Sequence, residues 1–285
     1  MTLSKKYYTA IQQVLRNQKS SVSLNTTWKH IHDESGIGST SLKQLFFTAQ
    51  DHEALRKWVL LEVGVDPLIT EVKGDRLEVA SLVQDEKWAT KNVFSGMVYV
   101  NMRSGEIPIS QGRVATPSGT LLYVAAGDIL VNEITAVVLM ENGIVARNWY
   151  KCRVPDELSN ALMVYRGHDS EAEAVSLWLK SLPLEVKKVG YFDFDPSGLG
   201  MAIDYGVDAI LIPDLLDDEL VKGINNKQET HVEQLLHRPN LGSQLPKSCY
   251  EIWKWMTTEN RKCAITQERL TVLGKHLRLL NITDL

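Results

Sequence analysis

Three carboxylates stand where apolar runs stop. Glu141 follows the run 136–140, and Asp193 and Asp195 follow the run 188–192, Asp193 coming 52 residues after Glu141. Between them, Arg166-Gly167-His168 closes a further apolar run, 161–165. Carboxylates brought close together resist joint ionisation unless a counter-ion is present. A hard divalent cation is the natural resolution, because Mg²⁺ takes a few carboxylates together with waters and phosphate oxygens. Such an ion activates water or stabilises a leaving oxygen in phosphodiester cleavage.

The elements that must position these groups alternate. Apolar runs of strand length lie at 136–140, 161–165, 188–192 and 209–212, the first three followed directly by a polar residue and the fourth by Pro213-Asp214. A helical segment, 170–182, with Ala174, Leu177, Trp178 and Leu182 as its apolar positions, lies between the second and third. This pattern predicts an α/β fold with a Rossmann-like parallel sheet and a site at its carboxyl edge. Plainer readings exist for each motif. Asp195-Pro196 suits a helix cap with proline in the first turn, and Glu141-Asn142-Gly143 suits a simple turn.

Taken together, a strand ending in Glu-Asn, a second ending in Arg-Gly-His and a third ending in Asp-Phe-Asp-Pro-Ser-Gly resemble the Toprim domain of topoisomerases, primases and related nucleases. The form of the last motif is most similar to the branch that contains the topoisomerase VI A subunit, and within it to the nuclease subunits of Wadjet-type anti-plasmid systems. The resemblance covers roughly residues 125–285. It implies that Glu141, Asp193 and Asp195 are metal ligands for Mg²⁺ or Mn²⁺, with Glu141 also a general acid or base. It further implies that Glu268, in Thr266-Gln267-Glu268, is an accessory catalytic acid, although Thr266 replaces the first Glu of that segment. The expected activity is a DNA endonuclease that hydrolyses phosphodiester bonds with metal-activated water. The implied partners are double-stranded DNA, an SMC-like ATPase, its kleisin and accessory subunits, and a second copy in a homodimer. Two alternatives stay open: a non-catalytic Toprim module that binds DNA or a partner, and a tyrosine transesterase. The second is disfavoured, because the Arg-Asp-x-Tyr-Tyr context of the cleaving tyrosine is missing.

Residues 1–60 carry eight Lys/Arg against four Asp/Glu, a net +4, which leaves −8 of the overall −4 for residues 61–285. A basic head on an acidic body is compatible with nucleic-acid contact at one end and cation binding at the other. Helical periodicity at 7–16, 26–33 and 51–63, and a further helix expected through Leu42, Leu45, Phe46 and Phe47, suit a mostly helical, winged-helix-like region. Short β-rich runs follow, so the division predicted is a DNA-binding region at 1–125 and a Toprim catalytic domain at 126–285. Lys43, Arg113, Arg166 and His168 are the candidate DNA contacts. Trp253 and Trp255 read as core or interface residues rather than stacking platforms. Three scattered cysteines without CxxC spacing argue against a thiolate metal site and read as buried small hydrophobes. With no apolar run of about 18 residues and no signal-like segment in 1–20, no membrane association is expected and the cytoplasm is the expected location.

Overall fold

The computed structural model describes residues 3–91 and 94–282. Its internal contacts divide the chain into two units, Met1–Phe94 and Ser95–Leu285, each with its own core.

In the first unit, α1 (Lys5–Arg16) buries Tyr8, Ile11, Val14 and Leu15, a helix-period stripe. Strand β1 (Ser21–Ser23) leads into α2 (Thr26–Ser35), which Asn25 caps by accepting from the Trp28 N–H and which Gly36 ends in a left-handed turn. The hairpin of β2 (Ser39–Ser41) and β3 (Gln44–Phe46) follows, with β3 between β1 and β2 in a three-stranded antiparallel sheet. Next come α3 (Ala49–Val63), started by a Thr48/Asp51 capping box, and the short α4 (Arg76–Ala80). The helix expected through Leu42 and Phe47 is therefore this hairpin instead. Leu45 is buried between exposed Gln44 and Phe46, a period of two rather than 3.6, and Leu42 and Lys43 form the exposed tip. The core joins α1 to Trp28, Ile31, Leu45, Phe47, Leu55 and Val59.

The second unit is built on a seven-stranded mixed sheet. Its first strands are β4 (Met97–Met102), the separate hairpin β5 (Glu106–Ile109) and β6 (Gly112–Ala115), and β7 (Leu122–Ala125). Then follow β8 (Ala136–Met140), α5 (Gly143–Arg147), β9 (Leu162–Tyr165), α6 (Ser170–Ser181), β10 (Lys187–Tyr191), α7 (Pro196–Tyr205) and β11 (Ala209–Pro213). Helices α8 (Gln228–His237), α9 (Leu241–Gln244), α10 (Lys247–Met256) and α11 (Gln267–Val272) precede the last strand, β12 (Leu277–Asn281).

The sheet order is β12-β11-β10-β8-β9-β4-β7. The inner four strands, β11, β10, β8 and β9, are parallel, as their unbroken apolar runs predict, and β8 is buried along its whole length. Antiparallel strands flank them on both sides, so the sheet is mixed rather than purely parallel. The boundary also lies earlier than 125/126. Strand β4 pairs with both β9 and β7, which ties residues from 95 onward to the larger unit through partners tens of residues away.

Cys152, Cys249 and Cys263 are buried and form no disulfide. Trp253 and Trp255 pack against the larger core, Trp255 beneath the Arg261 guanidinium at 4.6 Å. Among the described residues, no helix is long and apolar enough to cross a membrane.

Candidate functional site

Register brings the strand ends level. Met140 pairs with Tyr165 on one side and Tyr191 on the other, so Glu141, Arg166 and the segment from Phe192 leave the sheet at the same edge. The ladder runs one step further, with the Glu141 N–H donating to the Tyr191 carbonyl at 3.2 Å and the Arg166 N–H to the Met140 carbonyl at 2.9 Å. An open cleft of about 450 Å³ lies there, bounded by Glu141, Asn142, Tyr165, Arg166, His168 and Asp193.

Each carboxylate is held by the protein. Glu141 Oε2 accepts from the Asp193 N–H at 3.1 Å, and Asp193 Oδ1 accepts from the Gln267 N–H at 2.8 Å. Asp195 caps α7: Oδ1 accepts from the Gly198 N–H at 2.7 Å, with Pro196 in the first turn. Its Oδ2 accepts from the Gln234 side-chain amide, also at 2.7 Å. The plainer cap reading of Asp195-Pro196 is therefore present in the fold, alongside the residue's place in the acidic group. Glycine is needed at 198, since a Cβ there would lie 2.1 Å from the Asp193 carbonyl.

Glu268 reaches the edge through a distant pairing. Phe194 and Ile265 exchange two backbone hydrogen bonds, at 2.7 and 3.1 Å, and this bridge lays residues 264–268 against the turn after β10. Thr266 then caps α11, placing Glu268 in its first turn. Glu268 Oε1 accepts from the Asn142 side-chain amide at 2.7 Å, while Oε2 is buried with no hydrogen-bond partner.

Electrostatics follow from burial and crowding. Burial, reinforced by Glu141, Asp195 and Glu268 and opposed by the Gln267 N–H, pushes Asp193 up to about 7. Burial likewise raises Glu141 above the usual carboxylate range, with Asp195 and Glu268 adding to the rise against the Asp193 N–H and Arg166. Asp195 is raised by burial against the pull of Gln234 and Gly198. Arg166 is the nearby cation, and its buried Nε has no hydrogen-bond partner.

The donor set fits a hard divalent cation: four carboxylates at one edge, Glu141 and Asp193 raised by burial and by the charge of neighbouring carboxylates, and an unpartnered buried oxygen on Glu268. Among the described residues, however, no three His, Cys, Asp or Glu side chains converge as a ready cage. The hydrogen bonds just described explain this, because Asp195 is turned toward Gly198 and Gln234 and Glu268 toward Asn142.

The structure thus gathers Glu141, Asp193, Asp195, Glu268, Arg166 and His168 in the second unit, while Arg113 lies on the β5–β6 hairpin in an ion pair with Glu133. Lys43 belongs to the first unit. Sequence reasoning missed Gln267, which is wholly buried. Its side-chain carbonyl accepts from the Asn142 N–H at 2.9 Å and its amide donates to the Tyr191 carbonyl. Asn142 and Gln234 were missed as well. A signal existed only for Asn142, an Asx residue directly before a helix.

Fold and site define the second unit as a mixed α/β domain with an acidic, partly open sheet edge. The chain belongs to the family described as Domain of unknown function (DUF7281), whose model matches residues 95–279, starting where the second unit starts. No curated protein and no solved structure matches the chain.

Proposed function

We propose that this edge is the centre of a Mg²⁺- or Mn²⁺-dependent DNA endonuclease of the Toprim type. The observation that carries the reading is the half-burial of Glu141 and Asp193 and the burial of Asp195 beside Glu268, whose buried Oε2 lacks a partner. Burying so much negative charge is costly without compensation. Glu141 and Asp193 would hold the cation, joined by Asp195 and Glu268. Bound there, the ion would supply the compensating charge, activate water and stabilise the departing oxygen.

The chain's own residues do the remaining work. Gln267 and Asn142 fix the carboxylates against the strand ends. Arg166, with its unpartnered Nε, attracts the phosphate into the cleft, and His168 faces the same space. Glu141, whose proton affinity is raised, receives the proton of the attacking water.

The Toprim resemblance extends the proposal to a homodimer that cuts double-stranded DNA beside an SMC-like ATPase with its kleisin and accessory subunits, as in Wadjet-type defence. A second reading, a non-catalytic module that binds DNA or a partner, draws on the protein donors that already engage each carboxylate.

Circular plasmid incubated with the purified protein and Mg²⁺ or Mn²⁺, alone and with any SMC-like proteins encoded beside it, separates the two. Nicking or linearisation that Glu141→Ala abolishes is the expected result. Intact plasmid in every mixture, with DNA still retarded on a gel, supports the binding module instead.

A further inference from the structure

Tyr165 ends β9 inside the cleft, and both sides of its ring are constrained. Gly143 lies against it so closely that a Cβ there would sit 3.2 Å from the ring Cζ. Across the sheet, Tyr99 pairs in register with Tyr165 and with Tyr123, so three tyrosines occupy facing positions on β9, β4 and β7. Tyr99 stacks on Tyr123 at 4.2 Å and stands 6.2 Å from Tyr165, bracing the ring from behind. The hydroxyl of Tyr165 meets His168 Nε2 at 2.9 Å, with the two rings edge-on at 81°.

This pair is built by an unusual turn. The chain leaves β9 through Gly167 at φ 71° and Asp169 at φ 46°, two left-handed residues on either side of His168. A non-glycine residue in that region is strained, and such strain concentrates where a side chain must be aimed. Here the turn folds the imidazole back onto the phenol. Both face the cleft that Glu141 and Asp193 bound. Burial pushes the Tyr165 phenol above the usual tyrosine range, so it is held as an O–H donor rather than a phenolate.

We infer that Tyr165, backed by His168, donates the proton that the departing oxygen needs as the phosphodiester bond breaks. The inference rests on the nuclease reading above and adds to it the donor for the leaving group. In the step, a bond forms between the water oxygen and phosphorus while the bond from phosphorus to the leaving sugar oxygen breaks. The Tyr165 O–H passes its proton to that oxygen, and the phenol oxygen takes one from the Nε2–H of His168 as the imidazole takes another at Nδ1 from solvent water. The proton of the attacking water goes to Glu141 and from there to solvent.

Sulfur leaves without help from an acid, which gives the test. A duplex whose cleavage position has been mapped with the full-length protein and Mn²⁺ is prepared with the ordinary bridging oxygen and with bridging sulfur at the 3′ or 5′ side. Tyr165→Phe, which keeps the ring, is expected to slow the oxygen substrate by about 10²-fold or more while cutting the sulfur substrate within about threefold of the wild type. His168→Ala, at an exposed position, is expected to show the same split. Retardation of the duplex in EDTA should be unchanged in Tyr165→Phe. Equal slowing of both substrates, or no slowing of either, overturns the donor role and leaves the nuclease reading standing. A covalent adduct between Tyr165 and DNA after denaturation also overturns it, since the residue would then be a nucleophile. Failure of the wild type to cut either substrate sinks the nuclease reading and this inference together.

Discussion

Gln267 and Asp193, 74 residues apart, are joined by a 2.8 Å hydrogen bond from the Gln267 N–H to Asp193 Oδ1. The Gln267 side chain spans the neighbouring strand ends, accepting from Asn142 and donating to Tyr191. One buried residue thereby fixes the turn after β10 relative to the end of β8, and with it the spacing between Asp193 and Glu141.

Gln267→Leu should therefore destabilise the protein. Leucine fills the volume but leaves the Asn142 N–H without its partner and takes from the Tyr191 carbonyl one of its two donors, the Glu141 N–H remaining, at a cost of about 1–3 kcal/mol. Urea unfolding should show a lower midpoint with an unchanged slope. An unaltered midpoint would mean that water or neighbouring groups replace the clamp.

Asp193 sets a pH dependence of stability in the absence of divalent cation. Its folded pKa of about 7 exceeds the unfolded value, so between about pH 4 and pH 7 the folded chain keeps a proton that the unfolded chain has released. Its contribution is thus fully present below about pH 4 and is lost as pH rises through 7. Melting temperatures in EDTA should fall over that window for the wild type and fall less for Asp193→Asn, with the variant the more stable of the two at pH 8. Parallel curves for the two proteins would rule out the raised proton affinity.

Asp195 has two roles that one pair of variants separates. Asn retains an oxygen to accept from the Gly198 N–H, whereas Ala removes the cap and costs about 1–2 kcal/mol. Asp195→Asn should melt near the wild type and Asp195→Ala below it. If the carboxylate also acts on a cation, both should lose the Mg²⁺-induced rise in melting temperature that bound ligand produces. Retention of that rise in Asp195→Asn would confine Asp195 to capping.

Arg166 faces the cleft while Arg113 is engaged with Glu133. Arg166→Gln should weaken DNA binding across sequences and reduce the slope of log affinity against log salt by about one, as expected for loss of a phosphate contact. Arg113→Gln should change that slope much less. Fluorescence anisotropy over a salt series measures both, and equal slopes for the two variants would remove Arg166 from the phosphate path.

Much of the second unit was legible in the sequence for a local reason. Apolar runs mark strands covered on both faces, and a polar residue directly after the first three marks the exposed end, so 136–140, 161–165, 188–192 and 209–212 and the groups Glu141, Arg166 and Asp193 could be read without coordinates. Asp195-Pro196 was equally legible as a cap. The segment 39–47 misled because apolar residues at 42, 45, 46 and 47 fit a helical spacing, and only burial of Leu45 between two exposed neighbours distinguishes a hairpin.

By itself, then, the sequence determined the α/β alternation and the carboxylates and cations at the strand ends. Tertiary structure alone decided that β4 and β7 extend the sheet, that the Phe194–Ile265 bridge carries Glu268 to the edge, and that Gln267 and Gln234 hold the acidic residues in place. The physical reason is range. Periodicity and caps report interactions within a few residues, whereas strand order, register and a buried glutamine's partners are fixed by packing between segments tens of residues apart.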